Sequence, residues 1–368
     1  MTSTTHAIAL DGVTKVFPGA GPPAVTDLSL TVPEGHIVAF VGPSGCGKTT
    51  TLKMINRLVE PTAGRIEVLG RDQQAFPVHE LRRRIGYVIQ QIGLFPHRTI
   101  AANVGTVPRL LGWDGERIGA RIAELVELVG LDPDVLDRYP AELSGGQQQR
   151  IGVARALAAD PPILLMDEPY SAVDPIVRGR LQEELLQLQA RVAKTIVIVT
   201  HDIDEAIKLG DLVAVFNQGG VLEQYSPPGE LLSDPRSAFV EEFLGGERGL
   251  RRLGLSQVGD LAYGGGPVVA PTADGPAARA QAQAFGTEFV VVVDGSTLVG
   301  WWWVDEVADG RPRPEPRPFR AVVSPRTPVR EALDGIVLSR TRVAVVVDDE
   351  GTYRGMVTID DISEGLVR

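Results

Sequence analysis

The segment Gly42–Thr49 restricts the fold of this chain more than any other stretch. It follows the apolar run Val38–Val41, reads Gly-Pro-Ser-Gly-Cys-Gly-Lys-Thr, and leads into a helical pattern. This is the G-x-x-x-x-G-K-[ST] arrangement of a phosphate-binding loop between a strand and a helix. Glycines let backbone N–H groups curl around phosphate oxygens, and the positive end of the helix dipole points at the anion. A chance glycine-rich turn is the alternative, and the flanking strand and helix argue against it.

Individual side chains of this loop have distinct predicted roles. Lys48 supplies positive charge to the β- and γ-phosphates, and Thr49 offers its hydroxyl to Mg²⁺. The residues predicted to contact the nucleotide here are Gly42, Pro43, Ser44, Gly45, Cys46, Gly47, Lys48, Thr49 and Thr50.

Two further apolar runs indicate the sheet to which the loop belongs. Ile163–Met166 and Thr195–Thr200 are continuous rather than alternating, as in parallel strands covered on both faces. Between Thr99 and Ala159 the pattern is mostly helical, with apolar positions three or four residues apart. We therefore predict an α/β, P-loop NTPase core with a helical subdomain inserted over about residues 92–160.

Two acidic residues end the second of these strands. Asp167 and Glu168 follow Ile163–Met166, at the edge where open α/β sheets bind ligands. We predict that Asp167 holds Mg²⁺ through water and that Glu168 polarises the attacking water. Two solvated acids capping a strand are the alternative, and the phosphate-binding loop favours the catalytic interpretation.

The run Leu143–Arg150 (LSGGQQQR) resembles the signature of the ABC ATPase family. In that family the signature of one subunit caps the γ-phosphate held by the other subunit. Ser144 offers a hydroxyl, while Gly145 and Gly146 let backbone amides approach an anion at a helix start, next to Gln147. A helix N-terminus capped by Ser144 is compatible with this role.

The remaining family motifs occur in order, over about Ile8 to Phe243. Gln90 resembles the residue that senses the γ-phosphate and metal and contacts the permease, although the adjacent Gln91 leaves its register open. Ser171–Asp174 resembles the loop that communicates across the dimer, so Asp174 is included in the nucleotide site. His201, after the strand Thr195–Thr200, resembles the switch histidine on the γ-phosphate. Phe17 resembles the aromatic residue that stacks on adenine, with packing as its alternative role.

The resemblance implies an ATPase mechanism with catalytic residues Lys48, Gln90, Glu168 and His201. Two copies of the chain close head to tail around two ATP molecules. Mg²⁺ is held by Thr49, Gln90 and Asp167. Closure and reopening then move the coupling helices of a transmembrane permease, which places this subunit at the cytoplasmic face of the membrane as a peripheral protein. A separate extracytoplasmic substrate-binding protein supplies the solute.

Charge and hydropathy agree with such a subunit. The chain of 368 residues carries a net charge of −11, which disfavours nucleic-acid binding through phosphate neutralisation. Its only cysteine is Cys46, as suits a reducing compartment. Met1–Leu10 shows no secretory signal, and runs such as Phe289–Val293 are far shorter than the roughly 20 residues of a membrane helix.

The C-terminal third contains an internal repeat. Val290–Asp305 and Val345–Asp360 each read as strand, turn, strand and helix start, separated by the extended linker Arg311–Pro318. The pair resembles tandem α+β CBS motifs, which often bind a regulatory adenine nucleotide. Thr358 and Asp361 match the ribose-binding pair in the second copy.

The first copy departs from the CBS pattern, because Trp303 and Glu306 replace the threonine and aspartate. A purely structural or dimerising module, with Trp301–Trp303 in a core or interface, is the alternative. Basic residues near the linker are candidates for sensing salt or anionic lipid, with a solvated surface as the other interpretation. They are Arg311, Arg313, Arg317 and Arg320.

The segment Arg84–His97 and the CBS tail together resemble the quaternary-amine and osmoprotectant importers. The expected function is therefore an ATPase subunit for uptake of glycine betaine, choline, carnitine or proline betaine. An importer of another small solute, a soluble ABC ATPase acting on nucleic acid or ribosomes, and an inactive regulatory module are the alternatives. The predicted domains are residues 1–243 (ATPase), 250–310 (degenerate first CBS motif) and 318–368 (second CBS motif).

Overall fold

The computed structural model describes residues 6–19, 21–90, 93–171, 173–307 and 314–367. It divides into two compact units, residues 1–245 and 246–368. Gln91, Arg311 and Arg313, which the sequence analysis singled out, lie outside the described residues.

The strands of the first unit form two sheets. A six-stranded sheet has the order β10-β9-β3-β8-β7-β6, in which every pairing except β9 with β10 is parallel. A four-stranded antiparallel sheet has the order β2-β1-β4-β5. The strands are β1 (His6–Lys15), β2 (Val25–Pro33), β3 (Ile37–Val41), β4 (Ala63–Val68), β5 (Arg71–Asp72), β6 (Ile85–Val88), β7 (Ile163–Asp167), β8 (Thr195–Thr200), β9 (Leu212–Asn217) and β10 (Val221–Ser226).

Helices surround the parallel sheet and form a separate helical cluster. The insertion between β6 and β7 has its own apolar core, which includes Ile122, Leu125 and Ile151. The helices are α1 (Lys48–Ile55), α2 (Val78–Arg83), α3 (Ile100–Val104), α4 (Thr106–Leu110), α5 (Gly115–Leu128), α6 (Gly145–Leu157), α7 (Pro175–Val192), α8 (Ile203–Leu209), α9 (Pro228–Ser233) and α10 (Ala238–Leu244). The predicted α/β fold class is confirmed, with the antiparallel sheet as an addition.

Strand register brings the ends of β3, β7 and β8 to one edge of the parallel sheet. Val41 pairs with Thr200, and Asp167 pairs with Val199. All residues of these three strands are buried, which agrees with their continuous apolar sequences. The segments that follow the strands therefore start from the same edge.

The second unit contains two three-stranded sheets, β11-β12-β13 and β14-β15-β16. In each sheet a short parallel strand pairs with the first strand of an antiparallel hairpin. The elements are α11 (Arg248–Leu255), β11 (Val268–Val269), α12 (Gly275–Phe285), β12 (Phe289–Asp294), β13 (Thr297–Trp303), β14 (Val322–Val323), α13 (Val329–Leu338), β15 (Ala344–Val347), β16 (Tyr353–Val357) and α14 (Ile359–Val367).

The two sheets of this unit share an apolar cluster in which Val291 and Trp301 meet Val345 and Met356. The copies differ after their hairpins. The second copy continues into α14, whereas the described part of the first continues only into the single 3-10 turn Val304–Glu306. The predicted helix start thus corresponds to a 3-10 turn in the described part of the first copy and to α14 in the second.

Trp301–Trp303 and Arg317, at the end of the linker, are both part of the folded unit. Trp301 and Trp302 are buried, with 5% and 2% of their surfaces exposed, so these two rings fill a core. Arg317 pairs with β13, because its N–H donates to the carbonyl of Trp301 and its carbonyl accepts from the N–H of Trp301. Its guanidinium forms an ion pair with Glu306. Arg317 is therefore held by the fold instead of lying in a free basic linker.

Candidate functional site

The phosphate-binding loop has a backbone that only glycine adopts easily. Gly42 has φ 154°, and a Cβ there would lie 2.2 Å from the carbonyl oxygen of Phe216. Gly47 has φ 104°, and its Cβ would lie 2.3 Å from the carbonyl oxygen of Ala24. Both glycines thus allow the loop to turn tightly between β3 and α1.

Lys48 begins α1 and folds back over the loop. Its ammonium donates to the carbonyl oxygens of Gly42 at 2.7 Å and Pro43 at 3.0 Å, while the residue is only 5% exposed. Neutral carbonyls are weaker partners for an ammonium than a phosphate would be. Cys46 is fully buried, so this loop position can offer a ligand its backbone but not its thiol.

Thr49 and Asp167 are joined at the bottom of the loop. The Thr49 hydroxyl donates to Oδ1 of Asp167 at 2.7 Å. Burial raises the pKa of Asp167, and the hydrogen bond from Thr49 opposes that increase. A cation beside this carboxylate would compensate its lost hydration. These two oxygens could therefore hold a metal ion.

Glu168 lies between Gln90 and His201. Its Oε2 accepts from Nε2 of Gln90 at 3.0 Å, and its Oε1 lies 3.4 Å from Nδ1 of His201. The backbone of Glu168 has φ 46° and donates from its N–H to the carbonyl of Val199 at 2.9 Å. A left-handed conformation is uncommon outside glycine and often marks functional sites. Three residues predicted separately are thus one connected group.

Ser144 and Gln147 form a reciprocal cap at the start of α6. Oγ of Ser144 accepts from the N–H of Gln147, whose side-chain oxygen accepts from the N–H of Ser144. Ser144 and Gly145 are exposed. These contacts are local, so within one chain Ser144 is tied to its own helix and not to the Lys48 group.

Asp174 and Phe17 also make local contacts. Asp174 caps α7, accepting from the N–H of Ile176 at 3.0 Å. Phe17 follows β1, is 36% exposed, and has the Lys15 ammonium 4.9 Å from its ring centroid. Its exposed ring can still stack on a flat ligand.

Glu205, which the sequence analysis missed, lines the same small cavity as Glu168 and His201. It is 5% exposed and Oε1 has no hydrogen-bond partner among the described residues. Burial raises the pKa of Glu205 to about 7, and the nearby Asp202 raises it further while Arg178 opposes it. The sequence signal was weak, because a glutamate in the first turn of α8 is ordinary helix chemistry.

A groove of about 320 Å³ lies between the parallel sheet and the helical cluster. Its lining includes Arg82, Tyr87, Phe95 and Arg155. Phe95 is 39% exposed. The Asn103 side chain holds the adjacent loop, accepting from the N–H of Phe95 and donating to three carbonyls.

The predicted ribose pair of the second CBS copy caps its own helix. The Thr358 hydroxyl donates to Oδ2 of Asp361 at 2.7 Å, and the same oxygen accepts from the Thr358 N–H at 2.8 Å. The Asp361 N–H donates back to the Thr358 hydroxyl at 3.2 Å. A ribose would have to compete with this cap.

Comparison with protein-family models finds two matches. The model described as ABC transporter matches residues 25–171, and the model described as CBS domain matches residues 313–368. Across the described part of the chain, no helix combines the length and apolar character needed to cross a membrane.

Curated relatives are similar over nearly the whole chain or over about two thirds of it. The osmoprotectant import ATP-binding protein OsmV of Salmonella typhimurium is 44% identical, covering 98% of this chain and 96% of its own length. The glycine betaine/carnitine/choline transport ATP-binding protein OpuCA of Bacillus subtilis is 56% identical, with 66% of this chain and 63% of that protein aligned.

Among solved structures, the dimeric bacterial ABC transporter cassette MJ0796 has a TM-score of 0.54 and is 34% identical, covering 60% of this chain and 98% of that one. A second structure of that cassette, described as a dimeric post-hydrolysis state bound to ADP and phosphate, has a TM-score of 0.54, with 33% identity over 60% of this chain and 98% of that one.

Proposed function

This chain belongs to the ATP-binding proteins of ABC transporters, and on that premise we propose that it hydrolyses ATP to drive import of quaternary-amine osmoprotectants through a separate permease. The solutes proposed are glycine betaine, choline, carnitine and proline betaine. The similarity to OsmV along almost the whole chain supports this choice, since it includes the C-terminal unit as well as the ATPase unit.

One observation carries the ATPase proposal: the groups needed for phosphoryl transfer meet at one edge of the parallel sheet. Lys48 lies over the loop, Thr49 contacts Asp167, and Glu168 contacts both Gln90 and His201. Phosphoryl transfer needs charge stabilisation and an oriented nucleophile more than covalent help from the protein. This group of residues provides both.

In the proposed mechanism each residue has one task. The Lys48 ammonium leaves its carbonyl partners and binds the β- and γ-phosphate oxygens. Glu168 accepts a hydrogen bond from the attacking water and orients it in line with the γ-phosphorus. His201 donates to the γ-phosphate as negative charge develops there. Gln90 and His201 hold the Glu168 carboxylate from both sides, which keeps its direction fixed.

The oxygens of Thr49 and Asp167 fit a magnesium ion, with Gln90 as an additional ligand. Mg²⁺ usually binds to one or two protein oxygens, and substrate phosphates and water complete its octahedron. When bound, it neutralises charge on the β- and γ-phosphates. Thr49 would turn its hydroxyl proton away from Asp167 to accept the ion, and the buried Asp167 would gain a compensating charge.

We propose that two copies pair head to tail, so that Ser144 and its glycines cap the nucleotide bound at Lys48 of the partner. The exposed Ser144 turn supports this arrangement, because it lies at the start of α6 with free space around Gly145. Helix starts bind anions well. The dimeric state of the similar cassette also supports it. Phe17 and Asp174 would contact the adenine and the partner, respectively.

Ser144→Arg tests the pairing. The variant should bind ATP with normal affinity, because its own Lys48 loop is intact, yet hydrolysis should be lost since the arginine occupies the partner's γ-phosphate position. In a Glu168→Gln background, it should also prevent the ATP-dependent dimer, measured by size-exclusion chromatography. Ser233→Arg, at the exposed end of α9, is the control and should dimerise normally. Hydrolysis by Ser144→Arg at the wild-type rate would contradict the arrangement.

The groove beside Phe95 is our proposed permease contact. It combines exposed aromatic surface with arginines, a composition that is common at protein interfaces. The same loop region follows Gln90, whose side chain contacts Glu168. Movement of a permease segment in this groove could thus reach the catalytic acid through one hydrogen bond. Docking there would hold the chain at the cytoplasmic face of the membrane, with an extracytoplasmic binding protein delivering solute.

The second CBS copy is our proposed site for a regulatory nucleotide. Thr358 and Asp361 have the chemistry to bind ribose hydroxyls, provided that they release each other. The competing role of this pair is to cap α14 without binding a ligand. Titration of the whole protein with adenine nucleotides distinguishes the two roles. If the wild type binds a nucleotide and Asp361→Ala does not, the result supports this site. If Asp361→Ala binds the nucleotide as tightly as the wild type, the nucleotide site lies elsewhere in the protein.

The deciding experiment is solute uptake by cells that lack the endogenous gene. Cells complemented with the wild type should accumulate radiolabelled glycine betaine, choline or carnitine, and cells with Glu168→Gln should not. The purified variant should bind ATP while hydrolysis falls by at least about 100-fold, as expected on losing a general base. ATP hydrolysis without uptake of any of these solutes would favour an importer of another solute.

A further inference from the structure

Arg178, in the first turns of α7, contacts two separate segments near the catalytic acid. Its Nη1 lies 3.4 Å from Oδ2 of Asp202, and its Nη2 donates to the carbonyl of Val173 at 3.3 Å. The side chain is only 28% exposed. Such an arginine is planar and always charged, so its two contacts are held in a fixed relative geometry.

The first contact acts on the turn that carries His201. Asp202 follows His201 and caps α8, because its Oδ1 accepts from the N–H groups of Asp204 and Glu205. The two oxygens of Asp202 thus have different partners, with Oδ1 on the helix and Oδ2 on Arg178. Any shift of Asp202 moves the backbone of His201, whose ring lies beside Glu168.

The second contact acts on the segment that precedes Asp174. Val173 is in this segment, and Ser171 at its start donates from its hydroxyl to the carbonyl of Glu168 at 3.0 Å. The N–H of Arg178 itself donates to the carbonyl of Asp174 at 2.8 Å. Arg178 therefore connects the two backbone segments that flank Glu168, one on the Ser171 side and one on the His201 side.

The charges around Arg178 explain why an arginine is needed there. A small cavity beside it is lined by Glu168, Asp202 and the buried Glu205. Three carboxylates in a partly dehydrated space repel each other. Among the described residues lining this cavity, Arg178 is the one permanent cation. A neutral side chain would leave both the repulsion and the free Asp202 oxygen uncompensated.

We propose that Arg178 is a positioning residue that couples Val173 and Asp174 to His201 and Glu168. The inference rests on the proposed function, in which Asp174 faces the partner chain. Closure of the dimer displaces Asp174 and Val173, and Arg178 transmits the displacement through Asp202 to the turn of His201. The switch histidine and the water-orienting acid then reach their working positions together, only when the partner is in place.

Steady-state hydrolysis of MgATP by the full-length protein tests the coupling. Arg178→Ala should lower kcat by about tenfold or more while KM changes less than about twofold, because the lost contacts act on the reacting geometry and not on nucleotide binding. Arg178→Lys should recover only part of the rate, since an ammonium cannot make both contacts at once. Arg180→Ala, two residues farther on the same helix and exposed, should match the wild type.

Asp202→Asn is the sharper variant. Asparagine retains an oxygen for the cap of α8 but replaces the oxygen that faces Arg178, so α8 should stay folded while the coupling is lost. Its kcat should fall like that of Arg178→Ala, and the double variant should lose no more than either single change, as for two residues of one interaction. This variant also decides the matter should Arg178→Ala fail to fold.

Wild-type kcat in either single variant, or fully additive losses in the double variant, would overturn the coupling. A wild-type protein that hydrolyses no MgATP would instead overturn the proposed function itself. The two failures are thereby distinguished.

Discussion

At the scale of single residues, the site depends on how buried charges are compensated. Lys48 and Asp167 are 5% and 6% exposed, yet each has hydrogen-bond partners that a bound nucleotide and metal could replace. Glu205 differs, since burial raises the pKa of Glu205 to about 7 from an ordinary 4.5, and within the described part of the chain its Oε1 has no hydrogen-bond partner. Its charge state therefore changes near neutral pH, and stability should report that change.

Glu205→Gln should increase stability more as pH rises. The unfolded chain releases this proton near pH 4.5 and the folded chain near pH 7, so between these values the folded state binds more protons and rising pH favours unfolding. Glutamine keeps the shape of the neutral acid without ionising. At pH 8 the free energy of unfolding of the variant should exceed that of the wild type by up to roughly 3 kcal/mol, because each pKa unit corresponds to about 1.4 kcal/mol.

Urea denaturation at pH 5 and pH 8 measures this difference. The control is Glu183→Gln, at an exposed position on α7 with 66% side-chain exposure. Its free energy of unfolding should differ from that of the wild type by the same amount at both pH values. If the difference in free energy of unfolding between Glu205→Gln and the wild type were equal at both pH values, the Glu205 carboxyl would ionise normally in the folded protein.

Sequence motifs pointed to individual candidate residues that the fold brings to one edge of the sheet, whereas residues placed by packing alone had no such signal. Lys48, Asp167, Glu168 and His201 each follow a recognisable strand or loop, and at one edge of the sheet Asp167 contacts Thr49 while Glu168 contacts His201. Arg178 and Glu205 lie on ordinary amphipathic helices, where an arginine or glutamate is expected on chemical grounds alone. Only the tertiary fold shows that these two side chains line one small cavity.

At the scale of secondary-structure elements, parallel strands could be predicted from the sequence more easily than antiparallel ones. The parallel strands β3, β7 and β8 are buried on both faces and read as continuous apolar runs. Strand β2, in the antiparallel sheet, alternates buried and exposed positions. Its partner β1 also pairs with β4, and the helix α1 lies between β1 and β4 in sequence. Such pairing is set by long-range register, which local patterns do not specify.

The loop between β6 and α3 gives a prediction for an element. Asn103, which is fully buried, holds Phe95, Arg98 and Thr99 through hydrogen bonds to their backbone. Asn103→Ala should destabilise the protein by about 2–3 kcal/mol, because buried backbone groups lose their partners. Basal hydrolysis should persist, while stimulation by the permease should fall because the groove beside Phe95 loosens.

Thermal denaturation and ATPase assays with and without permease in proteoliposomes check this outcome. His97→Ala, an exposed change in the same loop, should have little effect on stability, within about 0.5 kcal/mol. Full permease stimulation in Asn103→Ala would argue against the groove as the docking site.

At the scale of the whole molecule, the relatives differ in how much of this chain they match. OpuCA is the more identical relative but aligns to only 66% of this chain, whereas OsmV aligns to 98% with lower identity. The repeat in the second unit was visible in sequence, because each copy has a valine-rich strand and a glycine in the next strand. Its asymmetry was visible only in part: Trp303 and Glu306 departed from the pattern, but the pairing of Glu306 with Arg317 required the fold.

Deletion of residues 250–368 should leave basal ATP hydrolysis near the wild-type level, because the Lys48 and Glu168 groups lie wholly within the first unit. Control of the reaction by salt or adenine nucleotide should be lost. Hydrolysis measured against KCl concentration and against added nucleotide checks both points. An identical response in the full-length and truncated proteins would leave the second unit without a regulatory role.

The left-handed backbone of Glu168 has a consequence for attempts to re-engineer the enzyme. The left-handed backbone and the hydrogen bond from the Glu168 N–H to the Val199 carbonyl of β8 fix the direction of the Cα–Cβ bond, from which the side chain reaches Gln90 and His201. An aspartate at this position would have one methylene less, so its carboxylate would lie closer to the main chain than the carboxylate of Glu168 does. Shortening this side chain therefore changes the distance between the main chain and the carboxylate that we propose orients the water, while the direction in which the side chain leaves the main chain stays set by the backbone that follows β7.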